Sequence, residues 1–93
     1  EGLAKQLISL FIKATPIDIE LIKEHLASGN VEQVIDITHK IKPNFSILHL
    51  DEGYEICLQI EAEANNNLNV IAPLIDKLQK ILDQFIVEVN MGN

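Results

Sequence analysis

His39 and Lys42 stand three residues apart in the stretch Ile37-Thr38-His39-Lys40-Ile41-Lys42-Pro43-Asn44-Phe45. On a helix, that spacing places an imidazole and an ammonium one turn apart on the same flank. An apolar stripe runs through the same stretch: Val34, Thr38, Ile41, Phe45 and Leu48 recur at intervals of three and four and should face a core. At about 100° per residue, His39 then points roughly 140° away from the stripe's centre, toward solvent. Pro43 lies one turn on along this flank and Ser46 two turns on, where its hydroxyl is either a hydrogen-bonding group near the site or polar filler. An imidazole with one unprotonated nitrogen is a nucleophile near neutral pH, and a neighbouring ammonium can meet phosphate oxygens. The chemistry this pair suits is carrying a phosphoryl group. Lys40, about 100° around the helix from His39, is the weaker candidate for the cation.

Other potentially reactive residues are read more plainly. Asp36-x-x-His39 is half of a carboxylate-histidine metal motif, but helix-bundle diiron sites need two such motifs and further carboxylates, and no second copy is present. Cys57 is the only cysteine, so neither an internal disulfide nor a thiolate cluster can form. It reads as a small buried apolar residue with no basic neighbour in sequence to activate it. His25, beside Glu24 near a helix end, reads as a surface histidine.

The elements that must position His39 are all helical. Ninety-three residues, 47% of them hydrophobic, make one small domain spanning 1–93 with a core over about 7–90. Leu3, Leu7, Leu10, Phe11 and Ala14 predict a first helix over about 2–13, with Ile8 and Ile12 as surplus apolar surface that is either the greasy face of a small domain's helix or part of a docking surface for another protein. Thr15-Pro16 should end that helix and start the next, with Thr15 as cap and Asp18 in the first turn. The second helix runs through Ile19, Ile22 and Leu26 to Ser28-Gly29. Asn30 and Gln33 form a capping-box pattern for the helix that carries His39, which should continue to about Leu48 and kink at Pro43. A fourth helix, capped by Asp51, runs to about Ala64 with Leu50, Tyr54, Cys57, Leu58 and Ile60 inward and Gly53 allowing close approach. A last helix covers about 69–90, and Met91-Gly92-Asn93 should fray. Short connections between these helices imply an all-α, antiparallel, up-down-up-down four-helix bundle, with the short N-terminal helix as a lid across one end.

The formal charge of −7 argues against nucleic acid and against anionic membrane surfaces. With no apolar run long enough to span a bilayer and no signal peptide, the chain reads as a soluble cytoplasmic module. Its start at Glu1 rather than Met suggests a piece of something longer.

The order Phe11, Thr15-Pro16, Leu26, Gly29-Asn30, His39-x-x-Lys42, Leu48 and Cys57-x-x-Ile60-Glu61 resembles a histidine-containing phosphotransfer (HPt) domain from about residue 7 to 85. The most specific part is Thr38-His39-Lys40-Ile41-Lys42 followed by Cys57-x-x-Ile60-Glu61. The resemblance implies a phosphocarrier with no kinase activity of its own, standing alone or within a hybrid sensor histidine kinase. It would accept a phosphoryl group from one response-regulator receiver domain and pass it to another. It implies that His39 is the phosphoryl acceptor, Lys42 the stabilising charge, and Glu61 the residue that orients the imidazole. It implies no cofactor in this chain, with magnesium on the receiver, and an isolated domain that is monomeric. Two positions depart from the family pattern: Pro43 stands where glycine usually follows the lysine, and His49 replaces the glycine that often ends this helix region. The competing reading is an HPt-like docking module that has lost transfer.

Overall fold

The computed structural model describes residues 2–92. Among them are four α-helices, α1 (Gly2–Ala27), α2 (Val31–Ile47), α3 (Asp51–Glu63) and α4 (Ile71–Met91), with a 3-10 turn at Leu68–Val70 and no strand. Each helix contacts the next in sequence and α4 closes against α1, giving a bundle of 41 × 18 × 17 Å. No described helix is long and apolar enough to cross a membrane.

The expected break at Thr15-Pro16 does not occur, and there is no short N-terminal helix or lid. Pro16 lies inside α1. An interior proline costs about 3 kcal/mol, but the buried stripe continues in register across it as Phe11, Thr15, Ile19 and Ile22. Breaking the helix there would turn half of this stripe away from the core. Burying one large aliphatic side chain is worth about 1.5–3 kcal/mol, so Ile19 and Ile22 together outweigh the lost hydrogen bond. Asp18 is therefore mid-helix, not in a first turn, and is buried.

The apolar face expected for the N-terminal segment is also corrected. Ile8 and Ile12 are half-buried, whereas Leu3, Leu7 and Leu10 are exposed. With Ala14, Ile17 and Leu21, also exposed, they make a second stripe along α1, part of which borders α2.

The turns explain two further differences. At the end of α1, the Asn30 amide donates to the His25 carbonyl (2.8 Å) and the Gly29 amide to Leu26 (3.1 Å), with Gly29 at φ 78°. This is a Schellman turn. Asn30 is committed to it, with φ/ψ of −88°/77°, and its side chain makes no cap, so the capping box with Gln33 does not form. The end of α2 repeats the motif: Leu50 donates to Phe45 (2.8 Å) and His49 to Ser46 (3.1 Å), with His49 at φ 60° in the position glycine favours. Leu50 is consequently the N-cap of α3, and Asp51 and Glu52 occupy its first turn instead of Asp51 capping it.

Three phenylalanines tie the bundle together. Phe11 of α1 meets Phe45 of α2 and Phe85 of α4 edge-on, at centroid distances of 5.1 and 5.5 Å. Phe45 is fully buried and lies directly over Gly53 of α3, where a Cβ would come within 2.9 Å of its Cε1. Gly53 thus permits the close approach of α2 and α3. Ile56, Cys57 and Ile60 complete the buried face of α3, while Leu58, expected inward, is exposed. The last helix begins later than expected, at Ile71 after the 3-10 turn, and runs through Met91; Asn93 lies outside the described residues.

Two glycine exchanges should act in opposite directions. Gly53→Ala overpacks Phe45 and should destabilise the fold by about 1–3 kcal/mol. The left-handed backbone costs a side-chain-bearing residue about 1–2 kcal/mol, and glycine's freedom in the unfolded chain gives back roughly 0.5–1 kcal/mol, so His49→Gly should stabilise by about 0.5–1 kcal/mol. Urea denaturation of both variants beside the wild type measures this; equal midpoints would contradict both assignments.

Candidate functional site

His39 sits at the middle of α2, on the side opposite the buried Val34, Thr38, Ile41 and Phe45. Its side chain is 74% exposed. Thr38, directly before it, is buried and turns its hydroxyl back to the Val34 carbonyl at 2.7 Å. The helix continues unbroken through Pro43, which offers no amide to the His39 carbonyl one turn back.

Glu61 reaches His39 from α3. Its Oε2 is 2.9 Å from His39 Nδ1, and its Oε1 accepts from Lys42 Nζ at 2.6 Å. One carboxylate therefore holds both residues singled out on α2. The helices set this up: His39 and Lys42 are one turn apart on α2, and Cys57 and Ile60, buried on α3, aim Glu61 toward them. A carboxylate can only accept, so Nδ1 carries the proton in this arrangement. The neutral ring then has its lone pair on Nε2, on the exposed side.

The charges reinforce the geometry. Partial burial alone would raise the Glu61 pKa, but the hydrogen bonds from Lys42 and His39 outweigh it and hold the carboxyl below its ordinary value. The hydrogen bond to Glu61 lifts the Lys42 ammonium above its ordinary 10.5, against the opposing effect of desolvation. Glu61 is ionised and Lys42 protonated throughout the neutral range. Burial pushes the Cys57 thiol up to about 12, with Glu61 adding to the effect, so no thiolate is available there near neutrality.

The two lysines near His39 point to different helices. Lys42 turns to α3, whereas Lys40 Nζ bonds Asp18 Oδ1 of α1 at 3.2 Å. This pair was not foreseen, although Asp18 belongs to the buried register of Phe11, Thr15 and Ile22, a position where a carboxylate needs a cation from a neighbour. The pair ties the middle of α1 to α2 at Lys40, next to His39 in sequence. The same pair lines a groove between α1 and α2 with Leu7, Leu10, Asn44 and Ile47 among others. Pro43 and Ser46 are exposed on α2 beyond the histidine, and Asp36 is exposed one turn before it. Among the described residues, no group of three or more His, Cys, Asp or Glu side chains is placed to hold a metal ion.

The Glu61 interactions should give stability a pH dependence of definite sign. A carboxyl with a lowered folded pKa stabilises the fold above its unfolded value, here 4.5, and loses that contribution as pH falls through the folded value. The raised Lys42 contributes below 10.5 and loses its share as pH rises through its folded value. Glu61→Gln should therefore be less stable than wild type at neutral pH, with the difference closing in acid below 4.5. Urea midpoints across that range measure it; a gap that stays constant into acid would show that the carboxylate charge contributes nothing.

No curated protein and no solved structure matches the chain. A family model described as the Hpt domain matches residues 6–87, which include all four helices' buried faces, His39, Lys42 and Glu61. With that match covering most of its length, and with an exposed histidine midway along a helix of an all-helical bundle, the chain belongs to the Hpt domain family.

Proposed function

We propose that this Hpt domain is a phosphorelay intermediate that accepts a phosphoryl group on His39 from a receiver-domain aspartate and passes it to the aspartate of another receiver. Phosphotransfer in two-component signalling, through contact with response-regulator receiver domains, is the role of the family. The observation that carries the assignment to His39 is its exposed ring, held at Nδ1 by Glu61 with Nε2 left to solvent.

The step balances without any proton leaving the ring. The Nε2 lone pair attacks phosphorus, the phosphorus–oxygen bond to the donor aspartate breaks, and that aspartate departs as a carboxylate. The product ring bears phosphate on Nε2, keeps its proton on Nδ1, and gains positive character that the Glu61 carboxylate faces. Passage to the second receiver reverses these events. Such transfers depend mainly on positioning and charge neutralisation. Lys42 supplies positive charge one turn from the ring. Magnesium, on this reading, belongs to the receiver's acidic pocket, and the chain contributes no kinase activity of its own.

The surface around His39 supports docking of a receiver. Leu7 and Leu10 on α1 and Ile47 on α2 are exposed apolar side chains lining the groove that also holds Asp18 and Lys40, the latter next to His39 in sequence. Contiguous exposed apolar surface of this kind marks interaction sites. We read the bundle as antiparallel and up-down-up-down, supported by the tight turns at Ser28-Gly29-Asn30 and Leu48-His49-Leu50. The docking-only reading draws on Pro43, which alters the surface one turn beyond His39; it differs in that no phosphoryl group is transferred.

The test is incubation with a phosphorylated receiver domain, with His39→Gln alongside. An acid-labile, base-stable label should appear on the wild type and be lost entirely from the variant, whose fold is unchanged because the side chain is exposed. A receiver that binds the folded wild type yet transfers no label would leave only the docking function.

A further inference from the structure

The amino-terminal half of α1 and the carboxyl-terminal end of α4 enclose a groove of their own. Since α1 packs on α4 and α2 on α3, this groove lies across the bundle from the α2–α3 face that carries His39 and Glu61. Its floor is apolar, made by Ile8 and Ile12 of α1 and Val89 of α4, each only half-buried by the bundle. Its α1 rim is Lys5, Ser9 and Lys13, all exposed and four residues apart, so that they align along one flank of the helix. The α4 wall adds Asn90 and no charge. The surplus apolar residues Ile8 and Ile12, which the phosphoryl site does not use, thus lie beside a row of cations.

That row is out of keeping with the chain. The net charge is −7, yet the stretch from Gly2 to Ile17 holds two lysines and no carboxylate. Lys23, Lys40 and Lys42 each lie against a carboxylate, at 3.2, 3.2 and 2.6 Å. Among the described residues, Lys5 and Lys13 have no such partner. The two are separated by about 12 Å at 1.5 Å per residue. Two uncompensated ammonium groups at that spacing, beside an apolar floor, complement carboxylates about two turns apart on a helix whose next face is apolar.

We propose that the α1–α4 groove docks an amphipathic helix of another protein, apolar along one stripe and acidic on the flank that meets Lys5 and Lys13. A trough between two helices is a shape that a third helix fills, with anchors at three- and four-residue spacing. Charge disfavours the other occupants. A second copy related by a two-fold axis through the groove would set this lysine rim against the same rim. A lipid surface would gain only about 1 kcal/mol per lysine and would meet an otherwise acidic chain. The inference does not depend on His39 accepting a phosphoryl group, and a helix seated here leaves the His39 face open.

The probe is a synthetic helical peptide of about five turns, with leucines at three- and four-residue spacing and glutamates on the flanks. Its counterpart carries lysines in place of the glutamates. Titration into the whole chain is followed by fluorescence anisotropy and by amide NMR. The acidic peptide should bind about tenfold more tightly than the lysine peptide at low salt, and should shift the Ile8, Ser9, Ile12 and Val89 amides. The double variant Lys5→Glu with Lys13→Glu should reverse the preference, a gain of binding that unfolding cannot produce. Equal affinity for the two peptides, no binding of the acidic one, or shifts confined to Leu7, Leu10 and Ile47 would overturn the proposal. So would self-association that the double variant strengthens, which would assign the groove to a second copy, or retention of the chain on anionic phospholipid vesicles, which would assign it to a lipid surface.

Discussion

A nucleophile that must meet another protein has to be exposed, and an exposed side chain cannot be fixed by burial. The Glu61 carboxylate resolves this conflict, holding His39 by its inner nitrogen while the outer one faces solvent. Everything else in the bundle bears on whether α3 comes close enough to α2 for that bond to form. Gly53 lets α3 settle against Phe45, about 12 Å along the helix from Glu61 at 1.5 Å per residue. Cys57 and Ile60, between these points, keep the same face of α3 inward. One absent side chain near the start of α3 therefore contributes to a hydrogen bond two turns later.

Electrostatically, the site is unlike the molecule around it. The chain carries a net charge of −7, yet two lysines flank the histidine, each balanced by a carboxylate from a neighbouring helix. Lys42 is tied to α3 through Glu61 and Lys40 to α1 through Asp18. On the proposed relay reading these lysines offset the chain's acidity at the surface that receives the phosphoryl group, and their pairs link α2 to both neighbours near His39. The exposure of the partners separates their worth. The Lys42–Glu61 pair is largely shielded and holds its geometry, whereas Lys40 is 68% exposed and its pair is correspondingly screened.

Much of this was legible in the sequence because it depends on local periodicity. The stripe through Val34, Thr38, Ile41 and Phe45 places His39 outward by helical geometry alone, and the chain buries those four residues. Gly53 as a point of close approach was likewise readable. What failed were decisions between local and tertiary preference. Thr15-Pro16 carries strong stop-and-start signals, and the buried stripe overrode them. Asn30 has the composition of a cap, but the turn had already committed its backbone to α1. Leu3, Leu7 and Leu10 repeat as a core stripe would, and only the placement of α2 and α4 shows that Ile8 and Ile12 lie nearer the bundle. The bonds among His39, Lys42 and Glu61 could be anticipated only through family resemblance, because no periodicity within one helix specifies a contact with the next.

The central claim is that Glu61 leaves Nε2 as the nitrogen that reacts. The most direct measurement is the position of the phosphoryl group on the phosphorylated chain, read by phosphorus–nitrogen coupling in protein labelled with 15N-histidine. The account predicts phosphate on Nε2 of His39, with the proton retained on Nδ1. Phosphate on Nδ1, or on His25 or His49, would contradict it.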